Sequence, residues 1–169
     1  AAKAEKTKEN GIYKIAIGVD ANKTIEIAGS DLSNNAKVDI WNYGNVPAQK
    51  FYLTYDEAGF YKITAMHTGK SLTAKGNNVA EGVDIIQYDY QGLDSQKWLI
   101  KDSGKNGWVI SLLSNPQLSI SIDGNITNGA KLVLAKTQNN NNQMFYMINV
   151  VEPGKTRENG VYNFAVGAD

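Results

Sequence analysis

The sequence predicts an all-β protein folded as one closed barrel with internal threefold symmetry. Three observations predict it: a unit of 47 residues that comes round three times, short alternating apolar runs inside each unit, and no helical stripe. The period is set by "AQKF", "SQKW" and "NQMF", which place Gln49, Gln96 and Gln143 in step. Each glutamine is followed two residues later by a large aromatic: Phe51, Trp98 and Phe145. Twelve short strands in three groups of four would suit propeller blades, but propellers generally need four or more. Three groups fit a single barrel better.

The elements follow in order. "GIYKI" from Gly11 and "GFYKI" from Gly59 open the first two units, and "GWVI" from Gly107 opens the third. Tyr13, Ile15 and Ile17 alternate onto one face of the first strand; Ile25 and Ile27 do so on the second. Val38 and Ile40 mark the third strand, and Phe51 and Leu53 the fourth. "AKVDIW", "VDIIQY" and "AKLVLA" repeat the third strand through the units. Between strands stand "AGS", "HTGK", "KGNN", "SGKNG", "NPQ" and "DGN", the small and polar residues that turns require. On a strand, Gln-x-aromatic puts both side chains on one face. Phe51, Trp98 and Phe145 are therefore expected to fill the barrel, and each glutamine to satisfy backbone groups of a nearby turn.

Composition narrows the function. Seventeen basic and seventeen acidic residues balance, so nothing draws the chain toward nucleic acid or anionic lipid. No apolar run reaches the ~20 residues of a membrane span. Cysteine is absent, which excludes disulfide frameworks, zinc–thiolate sites and cysteine nucleophiles. Nineteen asparagines, nine tyrosines and three tryptophans favour a neutral polyol partner, although Asn-rich turns explain much of that excess. His67, the one histidine, has no acid–nucleophile pattern around it and reads as a solvated loop residue. Asp56–Glu57 reads as a polar turn. No catalytic residue, metal site or cofactor is expected.

Gly-x-Tyr-x-Ile, the "GKSL" turn at Gly69–Leu72 and the three Gln-x-aromatic closures resemble the ricin-type β-trefoil lectins over residues 11–151. The resemblance implies a six-stranded barrel capped by three hairpins, with units at about 11–58, 59–105 and 106–151. It further implies a carbohydrate-binding module of a larger secreted, bacterial, extracellular or cell-surface protein. In the family's sugar sites an acid after the second strand grips hydroxyls, an aromatic on the third stacks on the ring, and an asparagine precedes the glutamine. In the 47-residue register the acid position falls on Gly29, Gly76 and Asp123, the aromatic on Trp41, Tyr88 and Ala135, and the asparagine on Ala48, Ser95 and Asn142. No unit has the full set.

Three candidate sites follow. Trp41 alternates with Val38 and Ile40 and shares the outward face with charged Asp39, so its ring is a platform for a pyranose. Asp31, Asn42 and Tyr43 stand near it in sequence. Tyr88 and Tyr90 form the second candidate, with Asn77, Asn78 and Asp89 available. Asp123 and Asn142 form the third, although Asp123 in "IDGN" also suits a turn. The rival reading is a degenerate trefoil serving as a structural spacer or protein-interaction module, with Trp41 and Tyr88 merely covering the cap.

The chain also repeats itself at its end. "KTRENGVYNFAVGAD", 155–169, matches "KTKENGIYKIAIGVD", 6–20, at nine of fifteen positions. Residues 1–10 and 152–159 therefore read as linkers, and 160–169 as the first strand of a following, truncated trefoil in a tandem array. Tyr162, Phe164 and Val166 would form an apolar edge, expected to add to a sheet of its own domain or of a second molecule.

Overall fold

A computed structural model describes residues 3–150. The linker and strand expected over 152–169 lie outside the described residues. Twelve strands run in chain order: β1 Gly11–Ile17, β2 Asp20–Ile27, β3 Val38–Asn42, β4 Phe51–Asp56, β5 Phe60–Ala65, β6 Ser71–Ala74, β7 Ile85–Tyr88, β8 Trp98–Asp102, β9 Trp108–Leu112, β10 Leu118–Ile122, β11 Leu132–Lys136 and β12 Phe145–Asn149. Only short 3-10 turns interrupt them among the described residues.

The barrel closes through β1–β4–β5–β8–β9–β12 and back to β1, all antiparallel. The remaining strands form three hairpins, β2–β3, β6–β7 and β10–β11. These cap one end and join through isolated bridges: Lys37 to Ile86, Asp84 to Val133, and Lys131 to Asp39. Lys37, Asp84 and Lys131 stand 47 residues apart, so the cap has the same threefold order as the barrel. This is the β-trefoil.

The three aromatic closures behave as one layer. Phe51, Trp98 and Phe145 are fully buried, each in register with the opening aromatic of its own unit: Tyr13, Tyr61 and Trp108. Closing the barrel brings residues distant in sequence onto one apolar axis, and that burial is the main favourable term. The glutamines repeat one pattern. The Oε1 atoms of Gln49, Gln96 and Gln143 accept from the N–H groups of Gly44, Gln91 and Gln138 at 2.7–2.8 Å. Their Nε2 atoms donate to the carbonyls of Asn42, Asp89 and Lys136 at 2.8–2.9 Å. Each amide thus clips the loop before it, filling backbone valences that burial would otherwise leave open.

Residues 3–10, expected as linker, carry no strand yet lie against the barrel. The Tyr61 hydroxyl accepts from the N–H groups of Thr7 and Lys8 and donates to the Lys8 carbonyl. Thr7 Oγ1 donates to the Ile100 carbonyl, and the Tyr55 hydroxyl to that of Ala4. The segment is a strap over the barrel wall.

Candidate functional site

A polar pocket with an exposed aromatic lies on the first hairpin. It is an open depression of about 320 Å³ lined by Glu26, Gly29, Ser30, Asp39 and Trp41. Alternation on the two strands builds it. Ile25 and Ile27 point into the core, which puts Thr24 and Glu26 on the opposite face; Val38 and Ile40 do the same for Asp39 and Trp41, although Thr24 and Asp39 are covered there. Glu26 sits opposite Asp39, and Thr24 opposite Trp41. The Trp41 ring is 47% exposed. One edge rests on the third unit's loop, where a Cβ on Gly129 would stand 3.7 Å from it.

Asp39 corrects one expectation. Its charge is a reason to read this face as solvated, yet the residue is only 4% exposed. Gly129 and Ala130 pair with Ile40 through their backbones, and Lys131 bridges to Asp39, so the neighbouring hairpin closes over the carboxyl. Burial raises the pKa of Asp39 above the usual carboxylate range, while Glu26 and Lys37 pull it back. Glu26 is pushed up to about 7, first by burial and then by Asp39, against an opposing bond from Gln49. The two carboxyls titrate as a pair, and burial makes both harder to ionise. Gln49 Nε2 reaches Glu26 Oε1 at 3.1 Å, tying the pocket to the barrel clip.

Glu26 is the acid that the sequence register missed. The expected position, Gly29, lines the pocket without a side chain; the carboxyl comes from three residues earlier. The alternation Thr24–Ile25–Glu26–Ile27 carried the signal, because it turns Glu26 to the Trp41 face. The other expected companions stand elsewhere. Asp31 is in a turn, its carboxylate accepting from Ser33 N–H at 2.8 Å, which holds its pKa low. Its carbonyl meets Gln87 Nε2 at 2.9 Å and His67 Nε2 at 3.1 Å. His67 is accordingly half-buried against Asp31 rather than solvated. Asn42 takes Lys23 Nζ at 3.2 Å. Tyr43 lies under Lys14 Nζ, 4.2 Å from the ring centre, and donates to Asn45 Oδ1.

The second unit brings Tyr88 and Asn77 together in an equivalent pocket with Thr73, Gly76, Gln91 and Leu93. Thr73 and Ile86 stand where Glu26 and Asp39 stand in the first, so the pocket has an aromatic and no acid. Tyr90 is outside it, its ring 4.6 Å from Lys62 Nζ. Asp89 is held by Lys70 Nζ at 2.9 Å and Asn34 Nδ2 at 3.0 Å, and both bonds lower its pKa.

In the third unit the turn is displaced by one residue. Gly124, at φ 80°, takes the left-handed place of Gly29 and Gly76, at 64° and 72°. Asp123 therefore aligns with Ala28 and Lys75, all three donating their N–H across the hairpin at 2.9 Å. Asn142 Nδ2 donates to the carbonyls of Ile122 and Gly124 at 2.8 and 2.7 Å, which holds that turn in shape. Ala135 leaves no ring there.

A larger cavity, about 850 Å³, lies under the strap between Ala4, Tyr55, Tyr61, Leu99 and Leu113. It is mostly apolar and has no carboxyl pair. Among the described residues no group of three or more His, Cys, Asp or Glu could hold a metal ion, and no helix is long and apolar enough to cross a membrane.

The family profile described as ricin-type β-trefoil lectin domain-like matches residues 3–88 and 47–135. The chain belongs to that family. Flavastacin of Elizabethkingia meningoseptica is 28% identical over 130 residues, 76% of this chain and 29% of that protein. The chain thus spans under a third of that relative's length. The designed threefold-symmetric protein ThreeFoil superposes with a TM-score of 0.78 at 23% identity, covering 83% of this chain and 99% of that one. The ricin B-like lectin of Macrolepiota procera, in complex with lactose, gives 0.71 at 17% identity, covering 86% of this chain and all of that one. These likenesses establish the fold; the chemistry rests on the pockets.

Proposed function

We propose that this domain is a non-catalytic carbohydrate-binding module that holds neutral glycans weakly through the Trp41 pocket. The carrying observation is the pairing, in one open depression, of a half-exposed indole and a carboxyl that the barrel clip orients. An indole face covers the C–H side of a pyranose while Glu26 takes its hydroxyls. Tyr88 offers a second, weaker platform. One stacking ring and a few exposed hydrogen bonds correspond to affinities on the order of millimolar to tens of micromolar. The repeat of 6–20 at 155–169 supports a tandem arrangement, in which linked sites gain avidity; a place outside the cell or at its surface belongs to the same proposal.

A second reading, a spacer or protein-interaction module, draws on the third unit, where Ala135 replaces the ring and Asn142 is committed to backbone. Titrating neutral oligosaccharides into wild type, Trp41→Ala, Tyr88→Ala and Asp123→Ala separates the two. The first variant should weaken binding by about tenfold, roughly 1.4 kcal/mol, the second less and the third least. No binding by wild type, or unfolding of Trp41→Ala, would leave the spacer reading standing.

A further inference from the structure

The cap of the first unit sets two carboxyls against each other with a single ammonium beside them. Glu26 on β2 and Asp39 on β3 face each other directly in the antiparallel register, side chains on the same face. The charged groups around them can be named in full. Lys37 Nζ lies 3.6 Å from Asp39 Oδ2 and also donates to the Gly129 carbonyl at 2.9 Å. Lys131, bridged to Asp39 by its backbone, spends its ammonium on Asp84 at 3.0 Å. Gln49, from the turn below, is neutral. One ammonium therefore serves two carboxyls, and Asp39 Oδ1 is buried with no hydrogen-bond partner. A buried acceptor left open is costly, and more so when it carries charge.

We propose that the first-unit site selects saccharides bearing a free amino group, the ammonium bonded to Glu26 in the open depression with the buried Asp39 carboxyl behind it, and the sugar ring against Trp41. This rests on the carbohydrate-binding reading and names its substrate class. An ammonium supplies three donors and a positive charge at once, whereas a hydroxyl supplies one donor and no charge. The half-exposed Trp41 face adds cation–π attraction. The selectivity belongs to one unit only. Thr73, Ile86 and Tyr88 replace the trio in the second unit, and Ser121, Val133 and Ala135 in the third, so neither has a carboxyl there.

Without ligand, the pair keeps a proton that the ammonium must displace. Affinity for the amine should therefore rise with pH as the pair gives up its proton, then fall as the sugar amine loses its own. The test is calorimetric titration of the intact chain with a glucosamine trimer and with its fully N-acetylated counterpart. The free-amine trimer should bind at least about tenfold more tightly near pH 7, with heats that vary with the buffer as the proton is released. Glu26→Gln and Asp39→Asn should each bring the two affinities within about threefold of one another. If Asp39→Asn does not fold, Glu26→Gln and the buffer-dependent heat decide the matter. Equal binding of both trimers by wild type, or an amine preference that survives Glu26→Gln, overturns the proposal and leaves the carbohydrate reading intact. Binding of neither trimer, nor of any neutral oligosaccharide, overturns both.

Discussion

The barrel and its cap follow the same threefold path, yet they treat the symmetry differently. In the barrel the three units carry equivalent chemistry: an opening Tyr or Trp, a closing Phe or Trp, and a glutamine with the same two backbone partners. In the cap the outward positions hold Glu26, Asp39 and Trp41, then Thr73, Ile86 and Tyr88, then Ser121, Val133 and Ala135. A buried ring must fill a fixed volume and a buried amide must meet fixed partners, so few alternatives survive. On this face of the cap no common volume is imposed: Trp41 is half exposed, whereas Asp39, Thr73, Ile86, Ser121 and Val133 are each covered by their own surroundings. Symmetry therefore persists where packing enforces it, and function is free to concentrate in one unit.

The comparison breaks most visibly at Trp98. Removing that fully buried ring should cost about 3–5 kcal/mol, read as a lower denaturant midpoint, whereas Trp41→Ala on the cap should change stability by no more than about 0.5 kcal/mol. Equal losses would mean that the cap aromatic is part of the core. A smaller effect is expected at Tyr61, whose ring belongs to the barrel and whose hydroxyl belongs to the strap. Tyr61→Phe strips three hydrogen bonds from Thr7 and Lys8 and should cost about 1–3 kcal/mol. Hydrogen exchange of residues 3–10 should accelerate in that variant while the barrel strands keep their protection. Unchanged exchange would show that the bonds to Ile100 and Tyr55, with the apolar contacts, suffice to hold the strap.

The subtlest expected effect is on pH dependence. The pKa of Glu26 is raised by burial from 4.5 to about 7, so the folded state binds more protons than the unfolded one between those values. Its stabilising contribution is present at low pH and is lost as pH climbs through about 7. Asp20, Asp31 and Asp89, lowered by hydrogen bonds, act in the opposite sense and at lower pH, losing their contribution as pH falls. Thermal midpoints of wild type should therefore decline between about pH 5 and pH 8, and Glu26→Gln should flatten that decline. Parallel curves would place the proton elsewhere.

Much of this was legible in residues alone. The 47-residue period, the alternation of Val38 and Ile40 with Trp41, and the glutamine before each closing ring fixed the trefoil, because periodicity dictates which face each side chain takes. The same rule applied to Thr24–Ile27 would have singled out Glu26. Three things depended on contacts between segments far apart in sequence. Asp39 is buried because the third unit's hairpin folds over it, and its sequence neighbours carry no trace of that approach. Asp123 misses the acid position because one extra residue between β9 and β10 shifts all of β10 and brings Gly124 into the left-handed site; the β10–β11 turn is one residue shorter, so an equal spacing of glutamines conceals the shift. The strap at Thr7–Lys8 reads as linker by composition, and partners far off in sequence, the Tyr61 hydroxyl and the Ile100 carbonyl, make it part of the domain. Sequence by itself determined the period, the barrel and the faces of its strands, since those follow from local backbone geometry. Tertiary structure decided which carboxyls face each other and resist ionisation beneath Trp41, since burial and charge depend on what another unit lays over them.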